Sequence, residues 1–399
     1  MGLPNIKIII GNGQLGRTAT TDDGVAGLVV CATAKPNLPL YTPKQIFSLK
    51  EVETLGITQA NDATEQVDTW QQIKEYFDEA GSNAELNIMT YPMERTLTQM
   101  CDPTNTGTNS VRTLLDFAEG RITLLAIGRY INPTLAYNQV NQGGIDSDAH
   151  TAMLKLNVMA LEYRDHFQPF SGFVDCRGWS GVIADLTDLR TYTYQKVTGV
   201  LCGSQTGKKS SAVGLVLGRY AKIPVQRSCG RVKDGGLNLT VATFTDGSIV
   251  KKFSEAKLNA IHDKGYLFIR TFTGRSGFYF NDDPTCTPLN DDYLTVANNR
   301  VIDKALRLMY VTYVGELNDE VSVNADGKIA PTQITYLQQI MANALQTMVS
   351  AGNISDYEVF IDPTQNVIAT DKLIVSVKVF PVGHTKFIEG NLSFKNPAS

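Results

Sequence analysis

Apolar positions recur at two spacings along this chain, and their order sets the reading. Short apolar runs of strand length occur at Val25–Cys31, Leu86–Thr90, Ile122–Ile127, Phe170–Asp175 and Val197–Cys202. Between or beside them lie segments with helical spacing at Ala63–Ala80, Ser110–Glu119, Asp146–Asp165 and Ser210–Tyr220. Strand-length runs alternating with helical ones predict a parallel α/β sheet with crossover helices. In the first helix Val67, Trp70, Ile73, Phe77 and Ala80 share a face, and Gly81 is its stop. Runs at Gly265–Thr271 and Gly277–Phe280 read as strands that close this region.

Beyond Asp291 the pattern changes. A helix near Tyr293–Tyr313 presents Val296, Ile302, Leu306 and Met309 on one side, and Val314–Ala330, with Asp326-Gly327, reads as a loop or short hairpin. A second helix runs from Pro331 to Ala351, with Pro in the first turn, where its missing N–H costs little. Its apolar stripe is Ile334, Leu337, Met341, Leu345 and Met348. No charged residue occurs from Ala330 to Ser355, so the polar face is made of amides, including Gln338, Gln339, Asn343 and Gln346. A solvent-facing helix ordinarily carries charge opposite its core stripe, whereas interface cores are depleted of charge. That face reads either as a protein interface or as an ordinary covering helix. Three strand-like runs complete the chain: Asn353–Asp362, Lys372–Phe380 and Lys386–Phe394. A chain end usually frays, so an alternating run this close to the end predicts pairing with another subunit.

Composition narrows the function classes. Of the 399 residues, 43% are hydrophobic and 19% charged, which is globular and a little poor in charge. A net charge of −4 without a basic run argues against nucleic acid as a partner. The six cysteines (Cys31, Cys101, Cys176, Cys202, Cys229, Cys286) are widely spaced without a CxxC, which predicts reduced thiols in a chain made in a cytoplasm. The start MGLPNIKIII lacks a charged n-region and cleavage site, and no apolar stretch is long enough to span a membrane.

Candidate chemistry is sparse. Gly11-Asn12-Gly13-Gln14-Leu15-Gly16 fits GxGxxG after a strand-like run at Asn5–Ile10, but the next residues make a turn rather than the helix a dinucleotide needs. A Gly-rich joint is the plainer reading. Gly203–Ser210 (GSQTGKKS) sits between a strand and a helix but has one residue too few between its glycines for a phosphate loop. It reads as a βα loop with a solvated Lys pair, with a nucleotide-binding or hydrolytic enzyme as the alternative. Asp175 closes a strand where open α/β sheets place active groups, yet no GxSxG elbow accompanies it. His150, His166, His262 and His384 have no metal-ligand spacing. The acid pairs Asp282-Asp283 and Asp291-Asp292, beside Pro284 and Pro288, read as a solvated linker. No catalytic residue, cofactor or metal ligand is assigned.

Several segments resemble one family. Gly2-Leu3-Pro4, Gly13-Gln14-Leu15-Gly16-Arg17 and Asp23-Gly24-Val25-Ala26-Gly27-Leu28 are similar to the start of contractile phage tail sheath proteins, in the prophage and injection-system branch. Ser211–Ser228, Asn298–Ala305 and the helix–strand–strand–strand finish resemble the same branch. The resemblance implies a subtilisin-like α/β layer without a catalytic set, an α+β C-terminal domain and extended terminal arms. The expected regions are an arm 1–17, an N-terminal region 18–84, an α/β domain 85–287, a C-terminal domain 288–385 and an arm 386–399. It further implies a non-enzymatic subunit that polymerises helically around an inner tube and contracts to drive the tube through a membrane. Partners would be copies of itself in stacked, hexameric rings, the tube protein, and baseplate and tail terminator proteins. Neither nucleic acid nor membrane insertion is expected. Such a subunit assembles in a host or bacterial cytoplasm and ends in a virion tail or injection particle. Strand exchange between neighbours would use Leu3, Ile6, Ile8 and Ile10 from the first arm and Phe387, Ile388, Leu392 and Phe394 from the last. The tube-facing surface would be the amide face of the Pro331 helix.

Overall fold

The computed structural model describes residues 22–81, 83–129 and 140–395. Its centre is a six-stranded sheet of β1 (Ala26–Cys31), β2 (Lys44–Ile46), β3 (Leu86–Tyr91), β4 (Leu124–Ile127), β5 (Ser171–Asp175) and β6 (Val197–Val200). The spatial order is β2-β3-β1-β4-β5-β6; only β2 runs antiparallel, at one edge. Every residue of β1, β3, β4, β5 and β6 is buried, as continuous apolar runs in a sheet covered on both faces require. The expected regions 18–84 and 85–287 thus contribute strands to one sheet, with β1 at its middle.

Helices α1 (Thr69–Ala80), α2 (Ser147–Asp165) and α3 (Val213–Lys222) cover the sheet. Neighbouring residues of β5 show which side each takes. A Cβ on Gly172 would meet Leu156 of α2, while the ring of Phe173 stacks on Tyr220 of α3. Side chains alternate along a strand, so α2 and α3 lie on opposite faces. Packing of α3 on α1 depends on two glycines one turn apart. A Cβ on Gly214 would lie 1.9 Å from the Gln72 carbonyl oxygen, and one on Gly218 2.6 Å from that of Tyr76.

The predicted helix Ala63–Ala80 is two helices, Gln59–Thr64 and α1. Gln66 has φ +52°, a left-handed conformation that no helix continues through. Asp62 then reaches forward and accepts the N–H groups of Trp70 (3.1 Å) and Gln71 (2.8 Å), capping α1 from a distance. The run Val197–Cys202 also divides. Its main-sheet part ends at Val200, and Cys202–Gly203 pairs with Thr243–Phe244. The hairpin β7 (Ile269–Phe272) and β8 (Arg275–Phe280) completes the α/β body.

Helix α4 (Val296–Val314) joins the body to a C-terminal unit. Its first half is buried; its second half exposes Tyr310, Val311 and Val314. Two buried contacts lock the first half in place. Lys196 of the body binds Asp303 at 2.5 Å, and Asp283 accepts the Ala297 N–H at 3.1 Å. Asp283 is therefore a fully buried helix cap, and Asp282 is only slightly exposed, its carboxylate bound by Lys386. The pair Asp282-Asp283 is not a solvated linker, because a helix N-terminus and a distant lysine supply its partners.

The C-terminal unit consists of α5 (Pro331–Ser350) laid across the antiparallel hairpin β9 (Ile354–Ile361) and β10 (Val375–Pro381). The expected short hairpin before α5 is present as a bridge between Val323 and Ile329. All five residues of the α5 stripe, Ile334, Leu337, Met341, Leu345 and Met348, are buried.

Candidate assembly surfaces

The carboxyl ends of the central strands are the first place to look for chemistry. There Asp175 accepts the backbone N–H groups of Ser211 (2.8 Å) and Arg129 (3.2 Å). Burial pushes its carboxyl up to about 7, against the opposing pull of Arg177 and these N–H groups. Arg177 is itself buried and binds Asp146 at 2.9 Å. The acid at the strand end thus stitches three connections together. The nearby cavity among the described residues, lined by Asp68, Gln72, Ser204, Lys208 and Ser210, has a volume of about 10 Å³. One water fills such a space, whereas ligand pockets run from about 300 Å³. The Gly203–Ser210 loop is tied down by Ser210, whose hydroxyl donates to Asp68 at 2.9 Å.

A larger surface groove of about 390 Å³ is lined by Arg112, Asp116, Glu162, Tyr163 and His166 among others. Its polar groups satisfy one another: Arg112 holds Glu162 through two hydrogen bonds (2.8 and 2.5 Å), and Tyr163 donates to Asp116 at 3.0 Å. His150 and His262 have local partners in Gln142, Tyr192 and Asn281. All six cysteines are buried free thiols. No cluster of metal-ligating residues occurs among the described residues. Nor is any described helix long and apolar enough to cross a membrane.

Unsatisfied surface lies instead in the C-terminal unit. Strands β9 and β10 pair only with each other among the described residues, so each has one edge outside the ladder. Inward positions Val359, Val375, Val377 and Val379 are half-buried, while the outward face carries Glu358, Phe360, Lys378 and Phe380. Phe360 is 57% exposed. An unpaired strand edge is a template for another strand.

The expected strand Lys386–Phe394 carries no ladder in the single chain. A strand is defined by its partner, and among the described residues the segment has none. Phe387, Ile388, Leu392 and Phe394 are 85–106% exposed. Just before them the chain is anchored: His384 Nε2 donates to the Gln226 carbonyl at 2.8 Å, and Lys386 binds Asp282 at 2.7 Å. Leu3, Ile6, Ile8, Ile10 and the Gly11–Gly16 loop lie outside the described residues. The chain where that arm would begin is held firmly. Asp23 binds Lys304 (2.6 Å) and Arg307 (3.1 Å) of α4.

On α5, Gln339, Asn343 and Gln346 are exposed, and Gln339 donates to Asn343 at 2.8 Å. Gln338 is half-buried and its amide donates to the Val359 carbonyl at 3.5 Å. The amide face is therefore three exposed residues, with Gln338 turned toward the hairpin. The arm anchors escaped sequence reasoning. Lys386 and Asp282 are too far apart in the chain for any local pattern to link them.

This architecture, a mostly parallel α/β body carrying a helix-backed hairpin with exposed edges, is the fold of contractile tail sheath proteins. The chain is similar to a protein of the anti-feeding prophage baseplate and to the contracted helical sheath of the same particle, each at TM-score 0.63 and 17% identity. These matches cover 98–99% of this chain and 99% of the other. The sheath tail protein Lin1278 of Listeria innocua matches at TM-score 0.53 and 11% identity, over 90% of this chain and 96% of that one. A search of curated proteins finds no match. The chain belongs to the DUF2586 family: the family's N-terminal domain matches residues 3–284 and its C-terminal domain residues 292–399.

Proposed function

We propose that the chain is a structural subunit of a contractile sheath. The observation that carries this reading is the uncovered C-terminal segment beside an open-edged hairpin, on a fold shared end to end with sheath proteins. Four fully exposed apolar residues on one short segment are costly in water. Burying each would contribute about 1.5–3 kcal/mol. Addition of that segment to a neighbour's β9 or β10 edge buries them and satisfies main-chain groups at once. Heterologous contacts of this kind, repeated without closure, build a helical filament.

In this reading subunits form stacked hexameric rings around an inner tube, with Gln339, Asn343 and Gln346 facing the tube and Gln338 supporting them. The first arm, through Leu3, Ile6, Ile8 and Ile10, makes a second link. The α/β bodies rotate and repack on contraction while the strand links persist, and the released free energy drives the tube into a target membrane. Baseplate and terminator proteins hold the ends. Assembly takes place in a host or bacterial cytoplasm. No nucleotide is required, in keeping with the water-sized cavity at Gly203–Ser210.

Negative-stain electron microscopy of the purified full chain tests the proposal. Hollow, striated cylinders are the expected result. A monodisperse globule at high concentration, or saturable binding of ATP or NAD, contradicts it.

A further inference from the structure

The last segment is loose only beyond one point. Strand β10 ends at Pro381, yet the chain stays on the body for five more residues. Gln226 holds both ends of the hairpin: its side chain accepts from Asn353 (2.8 Å), just before β9, and its carbonyl accepts from His384 (2.8 Å), just after β10. Lys386 then binds Asp282. Asp282 is fixed in turn, because its neighbour Asp283 caps α4 and its carbonyl accepts from Cys229 Sγ at 3.1 Å. Beyond Lys386, the side chains of Phe387, Ile388, Leu392 and Phe394 are 85–106% exposed.

Resting on the sheath reading, we infer that the Lys386–Asp282 ion pair is the pivot of the C-terminal arm. It fixes where the arm leaves its own subunit and hence which sheet edge and register it reaches in a second copy. The geometry makes the distinction sharp. At roughly 3.3 Å per residue, Phe387–Phe394 spans about 26 Å from the pivot. Without the pivot and the adjoining His384 contact the free tether begins at Pro381, and its origin wanders by about 16 Å. Neighbouring strands lie about 4.8 Å apart, and a one-residue slip turns every side chain to the wrong face. Lengthening a tether from eight free residues to thirteen lowers the effective concentration of its tip roughly twofold. A subunit that both gives and receives an arm feels this twice. Lys386 and Asp282 are positioning residues, since neither makes the inter-subunit ladder.

The test is the critical concentration for polymerisation of the full-length chain, read by sedimentation alongside thermal melting. Lys386→Glu, which leaves the His384 contact in place and frees only two further residues, is expected to raise it about twofold while the monomer's melting temperature stays unchanged. Lys386→Arg, which keeps the charge, is expected to polymerise as the parent does. The reversed pair Lys386→Glu with Asp282→Lys is expected to recover assembly where that variant folds. An unchanged critical concentration for Lys386→Glu, with normal cylinders from the parent chain, overturns the inference and leaves the sheath reading standing. Absence of cylinders from the parent overturns both.

Discussion

The α/β body and the C-terminal unit solve the problem of stability differently. The body has one contiguous core from Val25 to Val296, and five of its six main strands are buried along their whole length. It also holds ion pairs away from water: Lys196–Asp303, Arg219–Glu79 and Arg177–Asp146 are all nearly inaccessible. The C-terminal unit has two small clusters, one around Met341, Leu345 and Met348 and the other around Ile334, Leu337 and Ile361. Around them Ile368, Ile374, Phe360 and Leu317 are mostly exposed. A body finished within one chain and a hairpin left open at both edges suit a part that moves as a block and a part that joins blocks together.

Changes in the body should be the most damaging. Breaking one partner of a buried ion pair leaves a charge without compensation, and burial already pulls the Lys196 ammonium below its usual range. Asp303→Ala is expected to destabilise the chain by about 3–5 kcal/mol, measured by urea unfolding of the monomer. Next comes Gly214→Ala. In an open helix this change stabilises by about 1 kcal/mol. Here the new methyl would sit 1.9 Å from the Gln72 carbonyl oxygen. A loss of about 2–3 kcal/mol is expected instead, and a gain would refute the close α1–α3 packing.

A smaller effect is read through pH. Burial pushes the Glu75 carboxyl up to about 7, with Asp68 adding to the rise. Its folded-state value lies above the unfolded one, so its contribution is fully present below the unfolded value. That contribution is lost as pH rises through about 7. Glu75→Gln is expected to flatten the fall in stability between mildly acidic and neutral pH, tracked by denaturant midpoints across that range. Two exposed acids of the C-terminal unit shift the other way, and one of them, Asp326, is held low by its hydrogen bond to Lys328. Exposed Asp362, bonded to Thr364, is held below the usual carboxylate range.

Those contrasts also mark what the sequence could convey. Apolar runs at Val25–Cys31, Leu86–Thr90 and Phe170–Asp175 gave strands nearly residue for residue, because a strand buried on both faces needs a continuous apolar run. The α5 stripe was equally plain. β2 was hidden, since Lys44–Ile46 is a short edge strand whose pairing with Leu86–Ile88 supplies its reason to exist. The break at Gln66 turned on a backbone angle and on Asp62 capping from eight residues away. The Gly214 and Gly218 spacing was visible, but its meaning depended on which helix lay opposite. The terminal segment was legible as a chain in need of a partner. Its pivot was not, because Lys386 finds Asp282 only after the body has folded.

The smallest change expected in the monomer carries the largest consequence for assembly. Removing Phe387–Ser399 deletes a stretch whose described residues, 387–395, are exposed, so monomer stability should shift by no more than about 0.5 kcal/mol. The same truncation should abolish cylinders under the electron microscope at concentrations where the full chain forms them. Normal cylinders from the truncated chain would contradict the account.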